Sequence, residues 1–396
     1  MHTKMRIAAV FEENIFDQKG AFRAKLERIR HLREQEDMQV DVWCIQVRYT
    51  WIERLLLGKR MFQGIPESRL PKREVIEFDG IPFRMLWLDY SILDHFLFFK
   101  LKKRPVFYPW FLKRRSRLFR SYDLISGHSF EGGYLAREVQ RRYGIPYCVS
   151  WHGSDIHTKP FKYPCIKDLT ASILAGAQMN FFASQALLET SDRIGPGKKT
   201  VLYNGSDESF YRYDEPRRAE IRKSFDVREG TPVVGFAGNL EAVKNAGLLP
   251  GIFERIQGLY GAPLSFWVIG DGRLRQEIET RMRVPCRFWG NVPRDKMPGF
   301  LNGMDLLVLP SVNEGLPLVL LEAIRCGCRA VGSEVGGIPE ALGPGYCVPL
   351  GEGFPDRFAR KVVSVLQSPF VQSVPPGMSW EETAAKEADC YRKVKG

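Results

Sequence analysis

The sequence lacks any apolar run long enough to cross a membrane. In its 396 residues, no hydrophobic stretch approaches the roughly 20 residues that a membrane-spanning helix needs. At the N-terminus the apolar stretch covers only residues 7–11, which is shorter than the roughly 7–15 residues of a secretory signal core. We therefore expect neither a membrane-spanning helix nor a signal peptide, so that any attachment to a membrane is peripheral.

Cysteine pairs with the spacing of a disulfide framework or of a zinc site are also missing. The eight cysteines include no CxxC pair, and Cys44 and Cys148 lie in apolar runs typical of strands. Cys326 and Cys328 are close together, but no histidine accompanies them. We expect reduced thiols, a cytoplasmic protein and no metal site.

Acidic residues are missing from one segment of the N-terminal half. Residues 101–120 carry eight lysines and arginines and no acid. The first 200 residues hold 34 basic against 22 acidic side chains, whereas the remainder holds 24 of each. Such a segment fits a solvated helix face, a surface for anionic lipid or an anionic acceptor, or a surface for nucleic acid.

Aromatic residues among these charges favour lipid. Phe107, Tyr108, Trp110 and Phe111 interrupt the basic segment, as in segments that lie in a bilayer interface. A second stretch, residues 51–62, combines apolar side chains with basic ones in the same way. We expect the partner to be an anionic membrane surface at the inner face of the cytoplasmic membrane, and not nucleic acid.

Short β-rich segments alternate with helix-period segments along the chain, which predicts an α/β fold with parallel sheets. The predicted strands lie at 6–10, 40–47, 83–88, 123–126, 146–151, 179–183, 200–203, 233–237, 264–269, 287–289, 305–309 and 329–332. The clearest predicted helices lie at 21–33, 133–142, 244–258, 273–283, 295–301, 317–325 and 380–393.

Two doubly wound domains follow from this alternation. Residues 204–230 interrupt it with a turn and a charged, proline-containing segment, where we place an interdomain linker. The predicted domains are 1–204 and 205–378, followed by a helix at 379–396 that leaves its own domain for the N-terminal one.

The informative polar residues of the second domain come directly after strands, where open α/β sheets bind their ligands. Glu314 follows the predicted strand 305–309, and Glu322 lies within the apolar helix after it. Helix capping explains Glu314 alone but explains Glu322 poorly, since its neighbours are apolar. Lys244 follows the strand 233–237 and opens the next predicted helix, where a cation opposes the helix dipole. A surface role for Lys244 is the alternative to phosphate binding.

In the first domain, His152 follows the predicted strand 146–151, with Gly153 and Asp155 beside it. A lone histidine is usually structural, but these neighbours favour a contact with a ligand. His128 follows the strand 123–126 and is expected at the same edge of the sheet. Gly20 follows the first strand and would let the backbone approach a phosphate.

Together these residues resemble those of the retaining family-4 glycosyltransferases, which have the GT-B fold. The matching motifs are HGSD at 152–155, NGSD at 204–207, GNLEAVKN at 238–245, GDG at 270–272, EGLPLVLLE at 314–322 and VGGIPE at 335–340. The resemblance extends over about residues 150–345, whereas the N-terminal third matches only in outline.

The resemblance implies a role for each matching residue. Glu314 would contact donor sugar hydroxyls and Glu322 the ribose, while Lys244 would neutralise the diphosphate. Backbone N–H groups around Gly315 and Leu316 would help Lys244, and His152 would face the sugar. Members of this family usually need no metal and keep the anomeric configuration of the donor sugar, so no cofactor is expected beyond a UDP- or GDP-linked sugar.

Two departures from the family pattern stand out. Many relatives have arginine at the position of Asn239, so one cation for the diphosphate is missing, and Arg273 is the candidate substitute. The paired glycines that usually follow the first strand are absent between Glu12 and Gly20. Acceptor-binding residues therefore cannot be carried over from the family.

The resulting expectation is a hexosyl transfer to a glycan or lipid-linked acceptor in the assembly of bacterial surface polysaccharides. Three alternatives remain. The same chemistry could act on a small soluble acceptor, the chain could be a nonenzymatic partner protein of the same fold, or it could be a sugar-nucleotide epimerase.

Overall fold

The computed structural model describes residues 4–13, 20–48, 74–89, 91–103 and 105–395. The chain divides into two compact units, of which unit 1 comprises Met1–Tyr203 and Trp380–Gly396 and unit 2 comprises Asn204–Ser379. The predicted lipid-facing stretch 51–62 and Arg104 lie outside the described residues.

Unit 1 contains a sheet with eight described strands. They are β1 (Met5–Glu12), β2 (Met38–Arg48), β3 (Val75–Phe78), β4 (Ile81–Asp89), β5 (Leu124–His128), β6 (Tyr147–Trp151), β7 (Met179–Phe182) and β8 (Lys199–Val201). Their order in the sheet is β3-β4-β2-β1-β5-β6-β7-β8, and only β3 and β4 pair antiparallel. Because β1 has β2 on one side and β5 on the other, the connections change direction there. The carboxyl end of β1 is therefore the expected ligand-binding edge of unit 1.

Helices of unit 1 fill the connections between these strands. They are α1 (Gly20–Arg33), α2 (Ile92–His95), α3 (Phe107–Arg115), α4 (Ser129–Tyr143), α5 (Ser154–His157), α6 (Lys159–Lys162), α7 (Pro164–Gly176) and α8 (Gln185–Asp192). The basic and aromatic segment forms α3, and the carboxylate of Asp94 accepts hydrogen bonds from the first backbone N–H groups of that helix.

Unit 2 contains a six-stranded parallel sheet. Its strands are β9 (Val233–Ala237), β10 (Ser265–Ile269), β11 (Cys286–Gly290), β12 (Leu306–Leu309), β13 (Arg329–Ser333) and β14 (Cys347–Val348). They follow the order β11-β10-β9-β12-β13-β14, so the connections change direction between β9 and β12. Its helices are α9 (Glu215–Ser224), α10 (Leu249–Tyr260), α11 (Arg275–Arg281), α12 (Met297–Gly303), α13 (Leu318–Arg325), α14 (Ile338–Leu342) and α15 (Phe354–Gln367).

The last helix, α16 (Trp380–Lys395), packs in unit 1. Ala384, Ala388 and Tyr391 belong to the same apolar core as Leu26 of α1. Beside this core, the carboxylate of Glu387 forms a buried ion pair with Arg28, with 2.7 Å between Oε1 and Nη2. The end of the chain thus completes the core of the first unit.

The strands formed by apolar segments agree with the sequence prediction within one or two residues at most ends. Parallel strands covered on both faces read as continuous apolar runs, and β5, β6, β9 and β12 are buried along their whole length. Strands β3 and β14 were not expected, because each contains only a few residues.

The prediction that residues 204–230 form an interdomain linker is largely wrong. It belongs to unit 2 and contains α9, whose N-terminus is capped by the side chain of Asp214. Arg218 and Arg222 of this helix both pair with Asp305, at 2.6 Å and 3.0 Å. The high charge that suggested a linker thus comes partly from arginines that fasten a helix to the sheet.

None of the helices within the described ranges combines the length and apolar composition needed to cross a membrane.

Candidate functional site

Polar residues of unit 2 meet at the carboxyl ends of β9 and β12, where the sheet connections change direction. The Nζ atom of Lys244 lies 2.6 Å from Oε1 of Glu314, and the hydroxyl of Ser311 donates to the same oxygen at 2.6 Å. The side chains are only 22% and 11% exposed. The structure therefore brings together two residues that the sequence placed on separate loops.

Backbone contacts fix the geometry of this pair. The loop that carries Lys244 meets the loop that carries Glu314 through a hydrogen bond of 3.0 Å from Val312 N to Val243 O. Two glycines permit the neighbouring loops to approach. A Cβ on Gly270 would lie 2.0 Å from the carbonyl oxygen of Gly238, and one on Gly336 would lie 1.9 Å from that of Glu314. The GDG and VGG motifs thus support the two loops.

Lys244 does not open a helix, so this part of the prediction is wrong. It ends a short 3-10 turn, Ala242–Lys244, and α10 begins only at Leu249. Asn245 follows in the left-handed conformation with φ of 54°, which asparagine tolerates better than most residues. The argument from the helix dipole therefore does not apply to Lys244. The contact of Lys244 with Glu314 is the observation that supports its selection as a candidate site residue.

Gly315 and Leu316 lead into the N-terminus of α13. Their backbone N–H groups donate no hydrogen bond to other described residues. The carbonyl of Leu316 accepts a hydrogen bond of 3.3 Å from the side-chain amide of Asn204, the first residue of the NGSD motif. The loop is therefore held through its carbonyl, and these two N–H groups have no partner among the described residues.

Glu322 lies on α13, one turn from the end of that helix, and is half-buried. It shares a hydrogen bond with the hydroxyl of Tyr211, a residue that is only 4% exposed. Burial, together with the charge of Glu322, raises the pKa of Tyr211, so the hydroxyl keeps its proton and donates it. Tyr211 was missed by the sequence analysis because no motif marks it.

Three further residues were predicted to bind the donor, namely Asn239, Arg273 and Gly20. Asn239 lies in the turn after β9, half-buried. The side chain of Arg273 is 77% exposed and lies 3.8 Å from Glu241. Gly20 is the exposed first residue of α1 in unit 1, and a Cβ there would meet no atom within 4 Å. The structure thus gives no packing reason for Gly20.

Unit 1 has its own polar cluster, in which His152 contacts His128. His152 follows β6 and His128 ends β5, so the pairing of these neighbouring strands sets their side chains together. Nδ1 of His128 lies 3.3 Å from Nε2 of His152, with ring planes only 9° apart. Asp155 accepts hydrogen bonds from the backbone N–H groups of His152 and Gly153. This agrees with the expectation that both histidines lie at one edge.

Both histidines are held neutral. Burial, followed by the charges of Lys25 and Arg28, places the pKa of His152 well below its usual range, and the same groups act on His128. Nδ1 of His152 is buried and makes no hydrogen bond to the described residues. A neutral ring with one unused nitrogen suits a hydrogen bond to an uncharged polar ligand.

A carboxylate at the end of β1 was missed by the sequence analysis. Glu12 accepts a hydrogen bond from the hydroxyl of Tyr108 on α3, and Glu131 nearby pairs with Lys159 at 2.9 Å. Burial, reinforced by the charge of Glu131, raises the pKa of Glu12 to about 7. Its partners come from distant parts of the chain, so no local motif marks it.

Comparison with known proteins places these observations in a family. The sequence model described as "Glycosyltransferase Family 4" matches residues 72–210, and "Glycosyl transferases group 1" matches residues 231–368. The structure is similar to sucrose-phosphate synthase from Thermosynechococcus elongatus, with a TM-score of 0.72, 14% identity and 99% of both chains covered. The Anabaena protein HepE in complex with UDP and glucose gives a TM-score of 0.65 at 15% identity, covering 98% of this chain and 95% of HepE.

Two sequence relatives have narrower matches. A putative teichuronic acid biosynthesis glycosyltransferase, TuaC of Bacillus subtilis, is 27% identical over 222 residues, which are 56% of this chain and 55% of TuaC. The 2-deoxystreptamine N-acetyl-D-glucosaminyltransferase of Streptomyces fradiae is 34% identical over 232 residues, which are 54% of this chain and 55% of that enzyme. The chain thus spans about half the length of these relatives.

The two parallel-sheet units have the fold of GT-B glycosyltransferases. The chain belongs to the group 1 and family-4 glycosyltransferases that the two sequence models describe, as the motifs indicated.

The raised pKa of Glu12 predicts an effect of pH on stability. Between its unfolded pKa of 4.5 and about 7, the folded state holds more protons than the unfolded state, so this group's contribution to stability is lost as pH rises through that window. Glu12→Gln removes the titration. We therefore expect the variant to gain stability relative to wild type between pH 5 and pH 8, measured by urea unfolding.

The matched control is Glu36→Gln, at an exposed position of the same unit. It should follow the wild-type profile. Both histidines remain in all three proteins, so their titration cancels in the comparison. A Glu12→Gln profile parallel to that of wild type would contradict the assignment.

Proposed function

We propose that this chain transfers a hexosyl-type sugar from a UDP- or GDP-linked donor, held by unit 2, to a glycan or lipid-linked acceptor in bacterial surface polysaccharide biosynthesis. The observation that carries the proposal is the Lys244–Glu314 pair at the switch point of the unit 2 sheet. Membership of the glycosyltransferase families and the UDP complex of the similar HepE structure support it.

In this proposal Lys244 neutralises the diphosphate that leaves with the nucleotide. An ammonium group has three donors, so Nζ can bind a phosphate oxygen while it keeps its hydrogen bond to Glu314. The N–H groups of Gly315 and Leu316 add donors at the start of α13. Charge on the leaving group grows as the glycosidic bond breaks, so these contacts stabilise the transition state more than the bound donor.

The two glutamates have different tasks. Glu314 keeps one carboxylate oxygen engaged with Lys244 and Ser311, and the other is proposed to accept hydrogen bonds from donor sugar hydroxyls. Glu322, oriented by Tyr211, is proposed to hold the ribose. Lys244 supplies the cation, so we propose that the reaction needs no metal ion or other cofactor. The product is proposed to keep the anomeric configuration of the donor.

An exposed surface on unit 1 supports a membrane-borne acceptor. It combines apolar and basic side chains. The apolar side chains are 47–57% exposed and include those of Phe96, Leu101, Val106, Phe107 and Trp110. Lys113, Arg114, Arg115 and Arg117 are all exposed, and the guanidinium of Arg114 lies 5.5 Å from the ring centroid of Trp110. This combination suits an anionic bilayer interface, and we propose peripheral binding there.

A small soluble acceptor is the second candidate. It is favoured by the Streptomyces fradiae relative, whose name gives 2-deoxystreptamine as the acceptor. The teichuronic acid relative favours a polymer acceptor instead. The donor chemistry in unit 2 is the same in both cases.

Turnover of the donor tests the unit 2 assignments. Glu314→Gln and Lys244→Ala should each lower kcat by roughly 10² or more, because each stabilises charge chiefly in the transition state. Glu322→Ala should mainly raise KM for the donor. The measurement is release of UDP or GDP from a donor sugar, with and without EDTA, and wild type should retain its activity in EDTA.

Lys223→Ala, at an exposed lysine of the same unit, is the control and should behave as wild type. Arg273→Ala tests the second cation, since a loss like that of Lys244→Ala would identify Arg273 as the substitute for the missing arginine. Near-normal turnover in both Glu314→Gln and Lys244→Ala would refute the donor site. Loss of activity in EDTA that Mg²⁺ restores would refute the metal-free mechanism.

Sedimentation with vesicles tests the membrane surface. Each engaged Lys or Arg contributes about 1 kcal/mol near an anionic leaflet, so four of them should hold the protein measurably. We expect pelleting with phosphatidylglycerol vesicles at low salt and release at about 1 M salt, where the Debye length falls to about 3 Å. Replacing Lys113, Arg114, Arg115 and Arg117 by glutamine should abolish pelleting.

A control variant removes the same charge from unit 2 by replacing four exposed arginines, namely Arg228, Arg281, Arg283 and Arg287, by glutamine. It should pellet as wild type does. Equal loss in both variants would show that net charge alone matters, and a wild type that never pellets would favour the soluble acceptor.

A further inference from the structure

A chain of buried polar side chains runs from α16 to His152 within unit 1. Glu387 and Tyr391 of α16 share a hydrogen bond, and the Tyr391 hydroxyl lies 2.7 Å from Oγ of Ser126. Oγ of Ser126 lies 3.5 Å from Nε2 of His128, whose Nδ1 lies 3.3 Å from Nε2 of His152. Glu387, Tyr391 and His128 are fully buried, and Ser126 is only 2% exposed.

The end at Glu387 gives this chain a direction. Arg28 is 2% exposed, cannot lose its proton and contacts both carboxylate oxygens of Glu387, so Glu387 is its counter-ion and can only accept hydrogen bonds. Tyr391 keeps its proton, because burial raises the pKa of its hydroxyl far above the ordinary range. Tyr391 must therefore donate to Glu387.

Each following group has only one way to complete its hydrogen bonds. The Tyr391 hydroxyl has spent its proton on Glu387, so the hydroxyl of Ser126 donates to Tyr391. Oγ of Ser126 then accepts from His128, which places the proton of this neutral ring on Nε2. Nδ1 of His128 is left as an acceptor, and it takes the proton on Nε2 of His152.

We propose that Glu387 and Tyr391 are positioning residues that hold His152 in its Nε2–H tautomer, so that its buried Nδ1 accepts a hydrogen bond from a hydroxyl group of a bound sugar. The second half of this statement rests on the proposed function, because the sugar is the proposed ligand. The tautomer itself does not. The lack of any partner for Nδ1 among the described residues is the observation that points to a ligand.

This series of hydrogen bonds also gives helix α16 a structural role in unit 1. Arg28 additionally donates to Ser150, which lies beside His128 in the pairing of β5 with β6. The charge pair therefore fixes both strands that carry the histidines. Without α16, Arg28 would be a buried charge with no counter-ion, and Ser126 would be free to reverse the chain.

Nitrogen NMR of the ligand-free protein tests the tautomer directly. With ¹⁵N-labelled histidine, the ring nitrogens of His128 and His152 can be assigned by comparison with His128→Gln and His152→Gln among the six histidines of the chain. Wild type should show both rings protonated on Nε2 and unprotonated on Nδ1. Protonation of His152 on Nδ1 would overturn the proposal.

Tyr391→Phe removes one hydroxyl from the chain. It frees the Ser126 hydroxyl to donate to Nε2 of His128, so both histidines should become mixtures of the two tautomers. Tyr147→Phe is the matched control, because it removes another buried hydroxyl of unit 1, one that donates to the carbonyl of Ile173 at 2.8 Å. It should leave the tautomers as in wild type.

Ser126→Ala is the second variant and keeps the test decisive if Tyr391→Phe does not fold. It breaks the same chain with a smaller change in volume and should also mix the tautomers. Unchanged tautomers in a folded Tyr391→Phe or Ser126→Ala protein would overturn the proposal.

Kinetics then separate the two parts of the inference. Tyr391→Phe should raise KM for a sugar substrate several-fold while leaving the affinity for free UDP or GDP unchanged, because His152 is proposed to bind a sugar hydroxyl and unit 2 to bind the nucleotide. A change of tautomer with no change in KM would overturn the role of His152 in binding sugar. It would leave the positioning of the tautomer by α16 intact.

Discussion

The ion pair between Lys244 and Glu314 constrains the loops at the edge of the unit 2 sheet. The pair is largely shielded from water, so removing either charge takes away the ion-pair partner of the other. Its geometry depends on main-chain contacts that only glycine permits at Gly270 and Gly336. The motifs at 238–245 and 314–322 therefore supply the two charges, and those at 270–272 and 335–340 let the charged loops approach each other.

In unit 1 the central polar side chains are neutral histidines, whereas in unit 2 they form an ion pair. There burial, followed by the charges of Lys25 and Arg28, lowers the pKa of two histidines in unit 1 well below the usual range. The counter-ion of Arg28 comes from the last helix of the chain, which also closes the apolar core.

The sequence predicted the features that local pattern controls. The strands β9 and β12 contain no polar side chain, and β5 and β6 are mostly apolar, so their positions could be read directly. The adjacency of His128 and His152 followed from the rule that parallel strands present their carboxyl ends at one edge. Short elements such as β14 and the capped helix α9, with its many charges, had no apolar run to reveal them.

Features that depend on distant residues could not be predicted. Tyr211 orients Glu322, and Tyr108 contacts Glu12, yet neither tyrosine belongs to a motif. The same holds for Glu387 and Tyr391, whose partners lie in α1 and β5. Lys244 was selected as a candidate site residue partly for a wrong local reason, an opposed helix dipole. The support for it now comes from a tertiary contact with Glu314.

Calorimetric titration of wild type and Lys244→Ala with UDP and GDP, each compared with its own nucleoside, tests the central claim most directly. If unit 2 holds the diphosphate through Lys244, wild type binds one of the two nucleoside diphosphates far more tightly than the nucleoside. The variant should lose most of this difference while binding the nucleoside as wild type does. Equal binding of the diphosphate by both proteins would contradict the account.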